Sequence, residues 1–224
     1  MADVLVTVSG VIASNIHEQI AEGKRPRADY LELARVLKAD LLDYPAARRV
    51  TGRFGALLER LAGADIMLAW ACFRLRKMYS TIFTDGEQVG IPFALLSKVI
   101  GARQRAHHIM IVHILSVKKK MAFFDYMAIQ SHIDRFLVYS TWQKQFIEQR
   151  WSILPEKVVF TPFMVDKDFF NSIPMPDQAK DEPMICAVGL EARDYPTLLA
   201  AVKDLPVRVI IAAASPWSKR SDNT

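Results

Sequence analysis

Cysteine is scarce: the 224 residues hold two, Cys72 and Cys186, each inside an apolar run. Two thiols cannot staple a small secreted scaffold, so a reducing, cytoplasmic setting is expected. Long apolar runs are missing as well. The longest reach about eight residues, against the roughly 20 that a bilayer-spanning helix needs. The chain opens on Met1-Ala2-Asp3-Val4, without the basic region and apolar core of a signal peptide. G-x-G-x-x-G is absent, which leaves a dinucleotide enzyme without its phosphate loop. His107 and His108 are adjacent, but no carboxylate or cysteine is spaced to complete a metal site with them. What is present is the balance of a globular chain: 51% apolar and 24% charged residues, with a net charge of +5. That balance excludes disorder, collagen and coiled coil. At roughly 150 residues per domain, the length amounts to about one and a half domains.

Short β-branched runs alternate with amphipathic stretches. Strands are expected at 4–8, 41–44, 80–84, 107–115, 135–140, 158–163, 184–189 and 207–214. Helices are expected at 28–39, 48–62, 65–78, 92–100, 121–133, 141–151 and 196–205, with Thr141 as the N-cap of one of them. Residues 11–26 hold Asn15, His17, Gly23 and Pro26 without a period and read as a loop or a broken helix. The run from His107 to Leu115 is almost continuously apolar, as in a parallel strand covered on both faces. Strands separated by helices of this length predict βαβ units: an α/β fold with a Rossmann-like parallel sheet and helices on both faces. Pro174, Pro176 and Pro183 mark a linker over 169–183. It divides a domain at 1–168 from an incomplete βαβ piece at 184–224. That piece is expected to leave apolar positions such as Leu198, Val202 and Ile210 uncovered.

Several segments in order resemble a retaining glycosyltransferase of family 4, with its two facing Rossmann-like domains (the GT-B fold). Glu156-Lys157-Val158-Val159-Phe160, Pro162-Phe163-Met164-Val165-Asp166 and Phe169-Phe170 resemble the passage between acceptor and donor domains, with Met164 where the family has glycine. Val138-Tyr139-Ser140-Thr141-Trp142-Gln143-Lys144 is similar to a strand-to-helix turn of the acceptor domain. The run from Ala187 through Gly189 and Arg193 to Ala201 resembles the first donor-domain loop and helix. The resemblance implies a transfer from a nucleotide-sugar donor, with no separate cofactor, to a glycan or lipid-linked acceptor. It also implies that the chain stops short of two donor-binding glutamates seven apart, and is therefore a shortened form, inactive alone.

Candidate site residues follow from position. In a parallel sheet, ligands bind at the carboxyl ends of strands. His113 lies there, and the resemblance makes it the catalytic residue; otherwise it is a core histidine. Ser9 and Gly10 end the first strand, where the resemblance implies a glycine-containing acceptor loop and the alternative is a simple turn; Asp85 and Glu87, after the strand at 80–84, are candidates for substrate binding by position. The plainer alternative has Asp85 capping a helix and Gly86 turning the chain. Gly189 and Arg193 are candidates for donor diphosphate contact, since backbone N–H groups and a cation suit a phosphate at a helix start. His107 and His108 sit at the opposite end of their strand and carry no catalytic expectation. Basic residues cluster at Arg74, Arg76 and Lys77, at Arg103 and Arg105, and at Lys118, Lys119 and Lys120. Beside apolar side chains these suit peripheral contact with the inner, anionic face of a membrane. Nucleic acid is not expected, because the clusters are short. Two other readings stay open: a non-catalytic Rossmann-like domain binding a glycan, lipid or partner protein, and an unrelated nucleotide-binding protein of flavodoxin-like shape.

Overall fold

The computed structural model describes residues 2–100, 106–171, 183–189 and 193–212. The chain divides into two compact units, Met1–Ile173 and Pro174–Thr224. In the first unit the elements are β1 (Val4–Thr7), α1 (Ile16–Ala21), α2 (Asp29–Leu37), β2 (Asp40–Leu42), α3 (Tyr44–Ala62), α4 (Ala64–Leu75), β3 (Thr81–Thr84), α5 (Glu87–Val99), β4 (His107–Val112), α6 (Lys118–Met127), β5 (Arg135–Val138), α7 (Thr141–Trp151), β6 (Val158–Phe160) and α8 (Lys167–Asn171). The expected α/β fold is present: six strands form one parallel sheet in the order β2-β1-β3-β4-β5-β6.

The order reverses between β1 and β3. From β1 the chain steps outward to β2, then crosses back and proceeds to β6. Crossovers in opposite directions place their helices on opposite faces when each is right-handed. The packing agrees. Alternate strand residues Leu5, Ile82, Met110, Phe136 and Val158 face α3 to α7, whose Ala47, Met67, Phe93, Phe124 and Ile147 are buried with them. The intervening residues Val6, Phe83 and Ile111 face α2 through Tyr30 and Leu33.

Local departures from expectation have local causes. Within 11–26 a six-residue helix forms, α1, holding one buried side chain, Ile16. Helix α3 begins at Tyr44, not at 48: Asp43 accepts from Ala46 N and Pro45 fills the first turn, where its missing N–H costs nothing. At Gly52 the helix kinks through φ 58°. Helix α5 begins at Glu87, leaving Pro92 inside it. The expected helix at 121–133 instead ends at Ala128, which takes a left-handed conformation (φ 47°), and a 3-10 turn over Ile129–His132 follows. Ser140, not Thr141, is the N-cap of α7, accepting from Gln143 N at 3.1 Å. Helix α8 runs into the expected linker, whose residues 172–182 lie outside the described ones.

Close approach fixes one glycine. A Cβ on buried Gly90 would stand 2.4 Å from Met110 Sδ and 2.8 Å from Thr84 Oγ1. The absent side chain lets α5 lie directly on β3 and β4. Across the unit, Arg27 donates to Asp166 from its backbone N, Nε and Nη2, at 2.8, 3.1 and 2.7 Å, and Nη2 also reaches Asp168 at 2.9 Å. This pair joins the segment before α2 to the segment after β6.

The second unit holds β7 (Met184–Val188), α9 (Tyr195–Val202) and β8 (Arg208–Ala212), with β7 and β8 parallel. Tyr195 and Leu198 of α9 pack on Ala187 and Ile211. Leu198 is therefore half-buried, and Val202 is half-buried as well, neither open as expected. The opposite sheet face is bare: Val188 is 67% exposed and Ile210 38%.

Candidate functional site

Four expected residues come together at the carboxyl end of the sheet, across the β1/β3 reversal. In such folds the loops leaving the two strands diverge there and open a ligand crevice. Asp85 follows β3, but it does not cap α5, which starts without a side-chain cap. Its carboxylate turns back to β1. It accepts from Thr7 Oγ1 at 2.6 Å, Ser9 N at 2.6 Å and Ser9 Oγ at 3.1 Å, while its own N donates to Thr7 Oγ1 at 3.0 Å. Burial pushes the Asp85 carboxyl above its usual range, and the donors from Thr7 and Ser9 pull the other way. Gln88 Nε2 also donates to Ser9 Oγ, at 3.3 Å. Gly10 takes part only through its backbone, accepting from Tyr44 N at 3.0 Å.

His113 lies just past β4, which ends at Val112. It is exposed, so the core-histidine alternative does not hold. Its Nε2 sits 2.9 Å from the Asp85 carbonyl. A carbonyl only accepts, so Nε2 carries the proton in the neutral ring and Nδ1 presents its lone pair. Among the described residues no hydrogen bond reaches Nδ1. The ring also lies 5.9 Å from that of Tyr139, and the His113 carbonyl accepts from Gln143 Nε2.

Glu87 is not placed to meet a substrate directly. Its side chain is 1% exposed; Oε1 accepts from Ile114 N at 2.5 Å, and Oε2 lies 3.6 Å from Lys120 Nζ. Lys120 Nζ also donates to the Ile114 carbonyl at 3.0 Å. Glu87 therefore holds the 113–117 loop in place and acts on His113 through its backbone. Gln143 and Lys120 are members of this network that the sequence reading missed. A signal for Gln143 existed in Ser140-Thr141-Trp142-Gln143, the spacing of a capping box.

His107 and His108 occupy the other end of β4, as expected. His108 is buried. Its Nδ1 donates to the His132 carbonyl at 3.3 Å, its Nε2 accepts from Thr84 Oγ1 at 3.0 Å, and its ring meets Phe93 edge-on. This is a satisfied core histidine. No group of three potential metal ligands occurs among the described residues.

Gly189 and Arg193 lie together in the second unit. Gly189 has φ 116°, which favours glycine, and Arg193 Nε stands 3.1 Å from where a Cβ would be. Helix α9 is already capped by a carboxylate: Asp194 accepts from Thr197 N at 3.2 Å and from Thr197 Oγ1 at 2.7 Å. An anion approaching Arg193 there meets a neighbouring negative charge.

The two basic clusters among the described residues lie toward opposite ends of the sheet. Arg74, Arg76 and Lys77 close α4 and lead into the amino end of β3, whereas Lys118 to Lys120 open α6 beyond the carboxyl end of β4. Arg76 is spent on the Phe73 carbonyl and ring. Arg103 and Arg105 lie outside the described residues. No described helix is long and apolar enough to cross a membrane. Compared with protein-family models and with curated proteins, the chain matches none.

Proposed function

We propose that Met1–Ile173 is the acceptor-binding lobe of a glycosyltransferase that moves a sugar from a nucleotide donor to a glycan or lipid-linked acceptor. The observation that carries this reading is His113. It is exposed at the carboxyl end of β4, with Nε2–H tied to Asp85 and Nδ1 open. An open imidazole nitrogen accepts a hydrogen bond from a sugar hydroxyl and takes its proton as the hydroxyl reacts. Ser9, Asp85 and Gln88 form the floor beside it, and Glu87 with Gln143 fixes the loop. Under this reading Gly189 and Arg193 meet the donor diphosphate, and the enzyme works in the cytoplasm, consistent with the free thiols of Cys72 and Cys186.

The test is binding of immobilised glycans and lipid-linked saccharides by the chain, with His113→Ala and His107→Ala side by side. His113→Ala should weaken a bound saccharide while His107→Ala leaves it unchanged. Equal behaviour of the two variants would refute the role of His113. A transfer assay across several nucleotide sugars accompanies it. Positioning of the donor supplies much of the barrier lowering, so any turnover should depend on Arg193 as well as on His113. Turnover indifferent to Arg193→Ala would put the chemistry within Met1–Ile173.

A second reading is favoured by the strand order. The run β2-β1-β3-β4-β5 is that of flavodoxin-like proteins, which hold a mononucleotide at the β1/β3 reversal. Titration with flavin and adenine mononucleotides separates the two. Tight mononucleotide binding that blocks saccharide binding would favour this alternative.

A further inference from the structure

A cavity of about 460 Å³ opens at the carboxyl ends of β5 and β6, beside the first turn of α2, within the range of small-molecule sites. Arg27, Asp29, Glu32, Tyr139, Phe163 and Asp166 line it. Arg27 is the cation among these, and its guanidinium is committed to Asp166 and Asp168. The cavity therefore offers little to an anion. Its free polar capacity is negative. Asp29 Oδ1 accepts from Tyr30 N and Glu32 Oε2 accepts from Arg35. Among the described residues no hydrogen bond reaches the second oxygen of either carboxylate.

The opposite wall is aromatic. Tyr139 and Phe163 meet edge-to-face with centroids 5.1 Å apart, and Phe163 is 71% exposed, so much of its ring stays open. Tyr139 also senses Asp29: burial raises its phenol first, and the charge of Asp29 adds to that. An aromatic face opposite carboxylates that each keep an open oxygen, Glu32 despite its ion pair with Arg35, attracts a cation that is itself partly apolar, through the ring quadrupole and through Coulomb attraction together.

We infer that this cavity binds an organic ammonium group, with the alkyl part against Tyr139 and Phe163 and the charge toward Asp29 and Glu32. The inference does not rest on glycosyl transfer, since neither His113 nor Asp85 lines the cavity, although Tyr139 lies between it and the His113 ring. Acidic residues in a first helical turn also favour the helix dipole. That role makes Asp29 and Glu32 matter to α2, but it gives neither any part in ligand binding.

The experiment is an NMR titration of the full chain with tetramethylammonium, its neutral, water-soluble tert-butyl analogue neopentanol, methyl glucoside and inorganic phosphate. Tetramethylammonium should give saturable shifts at Tyr139 and Phe163 in the millimolar range. The double variant Asp29→Asn/Glu32→Gln should weaken it about tenfold, as should Phe163→Leu, while His107→Ala, at the far end of β4, leaves it unchanged. Each variant is checked for an unchanged urea midpoint. Phe163→Leu, at an exposed position, serves where the double variant unfolds. Equal shifts from neopentanol or methyl glucoside would overturn the inference, because the site would then read shape and not charge. So would phosphate binding at Arg27, or ammonium binding indifferent to both variants.

Discussion

Gly90→Ala sets two effects of opposite sign against each other. Alanine in a helix interior is favoured over glycine by about 0.5–1 kcal/mol, so propensity alone makes the change stabilising. At Gly90, however, the new methyl would stand 2.4 Å from Met110 Sδ and 2.7 Å from Met110 Cγ. Met110 is fully buried, and Thr84 Oγ1 on the other side is tied to His108. Overpacking of a filled core costs roughly 1–3 kcal/mol. Packing should therefore win or at least cancel the gain, with a net loss between about 0 and 2.5 kcal/mol. Urea unfolding followed by tryptophan fluorescence measures it, since Trp70, Trp142 and Trp151 all lie in Met1–Ile173. The cause is isolated by a cycle with Met110→Ala. In that background the clash is gone, and Gly90→Ala should become neutral or stabilising, a coupling of about 1–3 kcal/mol. A higher midpoint for Gly90→Ala alone would show that α5 does not lie this close to the sheet.

Two carboxylates should respond to acid in opposite senses. Asp166 is held below its ordinary value of 3.8, first by the hydrogen bond from Arg27. Its contribution is complete above that value and is lost as pH falls below it, so hydrogen-exchange protection over 161–171, taken relative to the intrinsic rate at each pH, should fall in acid, and Asp166→Asn should show low protection at all pH values. Asp85 is raised by burial, so its contribution is complete below 3.8 and declines as pH rises through its elevated value; Asp85→Asn should remove that decline from the pH dependence of the urea midpoint. Thiol labelling should find one reactive cysteine in the native chain and two after denaturation, because Cys186 is exposed whereas Cys72 is buried and its thiol is pushed up by that burial. Two fast thiols would mean the α4 core is open. Glu87→Ala should cost about 1–3 kcal/mol by stranding Ile114 N, and should shift the NMR signals of His113 more than those of His107; equal shifts would deny that Glu87 positions the loop.

Sequence carried the sheet well, because its signal is local. Ile109, Met110, Ile111 and Val112 are apolar on both faces, and that pattern belongs to a covered parallel strand. Boundaries failed where a residue has two uses. Pro45 reads as the end of a strand but opens α3, and Ala128 sits in a left-handed cap that its side chain does not announce. The site was legible as positions at strand ends, since the carboxyl-end rule needs only the order of elements. Its wiring was not. Asp85 bonds to Thr7 and Ser9, and Arg27 to Asp166, over separations of 76 to 139 residues that no local pattern encodes. From sequence Glu87 reads as a substrate contact, because chemistry-bearing residues at loop ends look alike until burial distinguishes them.

The two sheets differ in how they finish. The six-stranded sheet tapers: its outermost strands, β2 and β6, have three residues each. Strands that short give another chain little ladder to extend, a common protection against runaway pairing. Strands β7 and β8 have five residues each, have one partner apiece among the described residues, and carry the apolar alternation of Cys186, Val188 and Ile210 on one face. A peptide ladder left open beside a greasy surface is a template for like segments. Self-association of this chain at high concentration should therefore begin at 184–212, and a charge placed at Ile210 should suppress it without disturbing the larger sheet.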